Sequence, residues 1–153
     1  MTRTFLSIGS NIHPEKNIPA CLKILKKKFL VKKISSIYET DPVGPVGKDK
    51  FWNLAVKIET ELDPKTLAQE LRGIEESLGR KRDPANKFAP RTIDLDVLPT
   101  PGFREQAFVM VPLAEIAPDE RDDESGKTFG AIAKAFTIST RSFRKINVSG
   151  EPA

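Results

Sequence analysis

The 153-residue sequence predicts an α+β sandwich, with helices laid over a mixed or antiparallel sheet. Three observations carry that reading. Strand-like and helix-like runs alternate along the chain, Trp52 to Ile58 alternates strictly at period two, and Asp63-Pro64 then opens an amphipathic helix.

Thr4 to Ile8 is a short apolar run stopped by the turn-forming cluster Gly9-Ser10-Asn11, and reads as a first strand. After Pro14, residues Ile18, Leu22, Leu25 and Phe29 fall at helical spacing with lysines on much of the other face. This predicts helix one, with Pro19 inside its first turns. Val31 to Thr40 is rich in β-branched residues and reads as a strand. It ends in Asp41-Pro42-Val43-Gly44-Pro45-Val46-Gly47, whose prolines and glycines exclude regular structure.

In the next strand Trp52, Leu54, Val56 and Ile58 share one face, so Phe51, Asn53 and Ala55 point the opposite way. Asp63 then serves as an N-cap with Pro64 at the first helical position, Leu67, Leu71, Ile74 and Leu78 form the buried stripe, and Gly79 ends helix two. Arg80 to Pro90 lacks periodicity and reads as a second loop. Thr92 to Leu98 alternates again, with Ile93, Leu95 and Val97 opposed to Asp94, Asp96 and Leu98. Phe108 to Val111 reads as a last apolar strand, and Phe129, Ile132 and Phe136 suggest a short helix; no element is assigned from Thr137 onward. The body of the chain has a β-α-β-β-α-β order, the ferredoxin-like arrangement.

Length suits one domain spanning residues 1–153. Hydrophobic residues at 39% and charged residues at 30% place it among globular chains, away from the disordered regime. Cys21 is the single cysteine and His13 the single histidine, which excludes an internal disulfide and a Cys/His zinc cluster and fits a reducing compartment. Only Phe5 to Ile8 is apolar near the start, too short for a signal-peptide core, and no stretch approaches a membrane span. The expectation is a cytoplasmic protein with no membrane partner.

A net charge of +4 suits an anionic partner such as a nucleotide, a polyphosphate or a nucleic acid. The basic run from Lys26 to Lys33 reads most simply as the solvated end of a helix and the start of a strand. A nucleic-acid-binding sheet would need a paired aromatic strand motif, which the sequence lacks.

The clearest chemical constellation is Arg91-Thr92-Ile93-Asp94-Leu95-Asp96. Strand geometry puts its two carboxylates on one face, about 6–7 Å apart along the chain. Such a pair can hold magnesium, which binds through one or two carboxylates plus substrate phosphates; two solvated acids on an exposed strand are the plainer alternative. The cations Arg80, Lys81, Arg82, Lys87 and Arg91 just upstream favour the polyphosphate reading, since arginine forks match phosphate oxygens. No glycine-rich phosphate loop and no protein-kinase signature is present. Phe51 and Asn53 form a second pair, a ring that can stack on a flat heterocycle and an amide that can read its edge. A phenylalanine there could equally pack beneath a helix.

Taken in order, Gly9-Ser10-Asn11, Ser35-Ser36-Ile37-Tyr38-Glu39-Thr40, Phe51-Trp52-Asn53, Ile74-Glu75, Leu78-Gly79-Arg80-Lys81-Arg82, Ala89-Pro90-Arg91-Thr92-Ile93-Asp94-Leu95-Asp96 and Pro112-Leu113-Ala114-Glu115-Ile116-Ala117-Pro118 resemble the 6-hydroxymethyl-7,8-dihydropterin pyrophosphokinase family. The resemblance runs from about Phe5 to Pro118. It implies a ferredoxin-like enzyme of folate biosynthesis, a 2-amino-4-hydroxy-6-hydroxymethyldihydropteridine diphosphokinase. Such an enzyme moves pyrophosphate from Mg-ATP to the pterin and releases AMP.

By that resemblance Asp94 and Asp96 would ligate two magnesium ions, and Arg82 and Arg91 would neutralise charge on the phosphates. Glu75, Arg80, Arg82, Lys87 and Arg91 would hold ATP. Phe51 and Phe108 would stack on the pterin, Asn53 would read its edge, and Thr40, Asp41 and Val43 would form its rim. The family expectation is a monomer acting on small molecules, with the loops Asp41 to Lys50 and Gly79 to Pro90 closing over the substrates.

The chain departs from the family after the Asp-Leu-Asp strand. The family has a longer segment there with a His-Pro element and an arginine before the second stacking ring. Here only Val97 to Ala107 intervenes, Gln106 stands near the arginine's place, and Arg104 is the neighbouring cation. Lys87-Phe88 replaces an arginine–tryptophan pair. The alternative reading is therefore an impaired or altered-substrate homologue that serves as a pterin-binding module.

Overall fold

The computed structural model describes residues 2–40, 50–79, 92–136 and 143–147. Its elements are β1 (Thr2–Ser10), α1 (Pro14–Lys28), β2 (Leu30–Ile34), β3 (Ile37–Thr40), β4 (Phe51–Thr60), α2 (Pro64–Ser77), β5 (Asp94–Val97), a 3-10 turn (Phe103–Glu105), α3 (Ala107–Ile116), α4 (Phe129–Lys134) and β6 (Phe143–Ile146). The strands form one sheet in the order β5-β1-β4-β3-β6, with β2 also on β4. Every pairing is antiparallel. The predicted β-α-β-β-α-β core is present, with β2 and β3 together filling the place of its second strand.

Period-two geometry divides the sheet into two faces. Leu6, Ile8, Leu54, Val56, Ile58 and Leu95 lie on one and pack against Ile18, Cys21 and Leu25 of α1 and Leu67, Leu71 and Ile74 of α2, all buried. A fully buried Leu or Ile contributes on the order of 1.5–3 kcal/mol. This face carries the larger of the two hydrophobic cores. On the other face, a second cluster joins Ala55 of β4 to Phe103, Val109, Met110, Leu113, Ile116 and Phe129.

Helix ends follow the local chemistry. Asp63 caps α2 by accepting the Thr66 N–H at 2.8 Å, and Pro64 sits in its first turn. Gly79 follows at φ +89°, a conformation that side-chain-bearing residues resist, so the chain leaves the helix there. Pro19 lies inside α1, as expected.

Two expectations need correction, and the unassigned tail gains an element. The apolar run Phe108 to Val111 belongs to α3 and not to a strand. It is buried at Val109, Met110, Leu113 and Ile116, a spacing that only a helix can place on one packed face. The predicted strand from Val31 to Thr40 is interrupted at Ser35 and Ser36. There the Ser35 hydroxyl, in place of a backbone carbonyl, accepts the Ala55 N–H at 2.8 Å, a local competition that breaks the ladder. Beyond Thr137 the chain adds β6 to the edge of β3, an element that the sequence reading left unassigned.

Candidate active site

β5 is only 4 residues long and lies at one end of the sheet. Asp94 pairs with Gly9 and Asp96 with Ser7 across β1, so both carboxylates project from the same face as those small residues. Asp96 is exposed and Asp94 half-buried. Gly9 in turn pairs with Asn53 on β4, which makes Asp94, Gly9 and Asn53 one row across three adjacent strands. Two interstrand spacings separate the ends of that row, about 10 Å.

Three features hold the carboxylate strand in place. Glu75, 2% exposed on α2, accepts the Leu95 N–H at 2.7 Å. The fully buried Ser10 hydroxyl donates to the Thr92 carbonyl at 2.5 Å, tying the end of β1 to the approach to β5. Ile93 and Leu95 anchor the strand in the main core on either side of Asp94. The sequence reading gave Glu75 a role beside the nucleotide; in the structure its carboxylate reaches the backbone between the two aspartates.

On β4, the half-buried Phe51 and the buried Asn53 share the face of Asp94, as the alternation predicted. The Asn53 amide donates to the Thr40 hydroxyl at 3.0 Å, which fixes its orientation and joins two residues expected at the same site. A Cβ on Gly9 would stand 3.0 Å from the Asn53 Oδ1, so a side chain there would press the amide away from β1.

Phe108, on α3, packs against the cluster that contains Ala55, two residues along the same face from Asn53. The helix is anchored by Glu115, whose carboxylate accepts the Tyr38 hydroxyl at 2.5 Å and the Ser36 N–H at 2.8 Å. Burial and this bond together push the Tyr38 phenol well above its ordinary range. Tyr38 thus remains a neutral donor. The sequence predicts no site role for Glu115 or Tyr38, although both stand within the family-like motifs.

Asp41, Val43, Arg80, Arg82, Lys87 and Arg91 lie outside the described residues. Arg104, the cation nearest the place of the absent arginine, is held elsewhere. Its Nε and one terminal nitrogen each lie 2.6 Å from the Asp122 carboxylate, and its guanidinium covers the Phe103 ring at 4.6 Å. It locks the short Val97 to Ala107 connection onto the turn before α4.

Among the described residues, no group of three His, Cys, Asp or Glu side chains is placed to hold a metal. Two carboxylates on one strand face, in register with Gly9 and Ser7, suit magnesium, which takes its remaining ligands from water and phosphate. Thr92 Oγ1, two residues before Asp94, is the buried side-chain oxygen among the described residues that lacks a hydrogen-bond partner.

Paired acids on an edge strand thus stand in register with an amide and a half-buried ring on one face of the sheet. The model of the 7,8-dihydro-6-hydroxymethylpterin-pyrophosphokinase family matches residues 5–118. A 2-amino-4-hydroxy-6-hydroxymethyldihydropteridine pyrophosphokinase from Methylorubrum extorquens is 40% identical over 136 residues, covering 78% of this chain and 85% of that protein. A Bacillus subtilis protein of the same name is 37% identical over 142 residues, covering 81% and 84%. In fold, the chain is similar to the Plasmodium falciparum HPPK-DHPS crystal structure with pteroate. The TM-score is 0.73 at 13% identity, covering 94% of this chain and 45% of that one. The chain belongs to the 7,8-dihydro-6-hydroxymethylpterin-pyrophosphokinase family.

Proposed function

We propose that the row Asp94–Gly9–Asn53 is the catalytic axis of a 2-amino-4-hydroxy-6-hydroxymethyldihydropteridine diphosphokinase. The enzyme transfers pyrophosphate from ATP to 6-hydroxymethyl-7,8-dihydropterin in folate biosynthesis. The hydroxymethyl oxygen bonds to the β-phosphorus, the bond from that phosphorus to the α,β-bridging oxygen breaks, and AMP departs with that oxygen. The hydroxyl proton is lost as the new ester forms.

The observation that carries the reading is the register itself. Asn53 and Asp94 lie about 10 Å apart on one face, which supports this reading. That span suits a pterin ring at one end and a triphosphate at the other.

Phe51 and Phe108 stack on the pterin, Asn53 reads its edge, and Thr40, Asp41 and Val43 line its rim. Asp94 and Asp96 would hold two magnesium ions. When bound, magnesium would supply charge neutralisation on the phosphates and would acidify the attacking hydroxyl. Arg82 and Arg91 neutralise charge that develops on transfer, Arg80 and Lys87 complete the nucleotide side, and Glu75 serves it indirectly by holding the strand between the two aspartates. Positioning and electrostatics of this kind supply most of phosphoryl-type catalysis, so no nucleophile of the chain is required.

The chain acts as one domain over residues 1–153, as a monomer, in the cytoplasm; among the described residues no helix is long and apolar enough to cross a membrane. Replacing Asp94 or Asp96 by alanine tests the assignment. Turnover is expected to fall at least about a hundredfold, given the several kcal/mol that metal ions contribute. The melting temperature should hold, because Ile93 and Leu95 carry the packing. Full activity of the doubly substituted protein would overturn the metal assignment.

A further inference from the structure

The matched family region ends at residue 118, yet β6 (Phe143–Ile146) is a full member of the sheet. It pairs with β3 in the register Ile37↔Ile146, Tyr38↔Lys145, Glu39↔Arg144 and Thr40↔Phe143. Thr40 also pairs with Phe51 on the other side of β3. Directly opposed residues share a face, so Phe51, Thr40 and Phe143 form a second row across three strands, next to the row that contains Asn53.

Phe143 is anchored within this row. Its ring lies 5.4 Å from that of Tyr38, the cross-strand partner of Asn53, and the Tyr38 hydroxyl is bonded to Glu115 on the helix that carries Phe108. Ile146 is buried in the main core at the other end of the strand, and Arg144 pairs with Glu39 on the opposite face. These contacts fix the register. Phe143 nevertheless remains half-exposed, an aromatic surface at the edge of the acceptor face.

We infer that Phe143 is a further specificity-determining residue of the acceptor site, contributed by a strand outside the matched family region. A flat ring stacked on Phe51 and read by Asn53 meets Thr40 at its edge, and Phe143 stands one strand beyond. It closes that edge with an apolar wall and braces Tyr38, which orients the stacking helix. The inference rests on the acceptor-site assignment above.

The test is steady-state kinetics and direct acceptor titration for Phe143→Ala and Phe143→Leu, with Phe51→Ala alongside. The acceptor KM should rise about threefold to tenfold, the range expected for loss of one aromatic contact, with the ATP KM and kcat within twofold of the parent. Phe143→Leu keeps an apolar side chain in the strand and serves if Phe143→Ala does not fold. An unchanged acceptor KM in folded Phe143 variants, beside a raised one in Phe51→Ala, would overturn this inference alone. No change in any of the three would overturn the acceptor-site assignment itself. Equal rises for both substrates would reduce Phe143 to a structural residue and also overturn the inference.

Discussion

Glu75 Oε2 accepts the Leu95 N–H at 2.7 Å, so a carboxylate from α2 satisfies the edge strand between the two aspartates. Among the described residues no strand lies beyond β5, and this bond does for its outer edge what a neighbouring strand would do. A buried N–H left without a partner costs about 1–3 kcal/mol. Glu75→Ala should lose that much in urea unfolding and weaken Mg-ATP binding. Glu75→Gln, which keeps an acceptor oxygen, should lose less on both counts. Equal stability of all three proteins would show that the bond does not hold β5.

The contact between Gly9 and Asn53 makes a sharper claim about the acceptor. Gly9→Ala would put a methyl group 3.0 Å from the amide oxygen. Relief of such overpacking costs typically about 1–3 kcal/mol, so the acceptor KM should rise on the order of tenfold. The ATP KM should not move. Comparison of the two Michaelis constants checks this directly.

Asp122 governs a pH dependence at the other end of the same face. The Arg104 side chain bonded to it holds its carboxyl well below the usual carboxylate range, against the opposing effect of burial. A folded pKa below the unfolded one gives stability that is present above the unfolded value, near 4, and is lost as pH falls further. Thermal melts from pH 7 down to pH 2 should therefore show a loss that Asp122→Asn lacks. That variant should also melt lower than the parent at pH 7. A parallel pair of profiles would exclude the Arg104–Asp122 pair as the cause.

Cys21 is fully buried, and its thiol is pushed up to about 12, first by burial and then by the neighbouring Glu75 charge. The thiolate is the reactive form. At pH 8 the native protein should react with a thiol-specific reagent only as fast as it opens, and the unfolded protein at once. Rapid labelling without unfolding would contradict this packing of α1.

Much of this arrangement is legible in the residues. The alternation in β4 separates Phe51 and Asn53 from Trp52 and Leu54, and Asp63-Pro64 marks the start of α2. The helix α3 was hidden because its run is apolar on nearly all sides and begins with Phe108 and Val109, residues at home in strands. β6 was hidden because the short segment Phe143-Arg144-Lys145-Ile146 has two charges and becomes a strand only against β3. The break at Ser35 depends on a side-chain hydroxyl entering the ladder, and the Glu75–Leu95 bond on a helix approaching a sheet edge. Neither leaves a periodic signal. Both are tertiary choices among local alternatives that the sequence leaves open.

The most direct test of the central claim is AMP release from Mg-ATP by the purified protein, with and without 6-hydroxymethyl-7,8-dihydropterin. On the pyrophosphokinase reading, AMP should appear only with the pterin, in equal amount to the pyrophosphorylated product, and should disappear with Asp94→Ala or Asp96→Ala. A folded protein that releases no AMP at saturating ATP and pterin, or releases it equally without pterin, would contradict it.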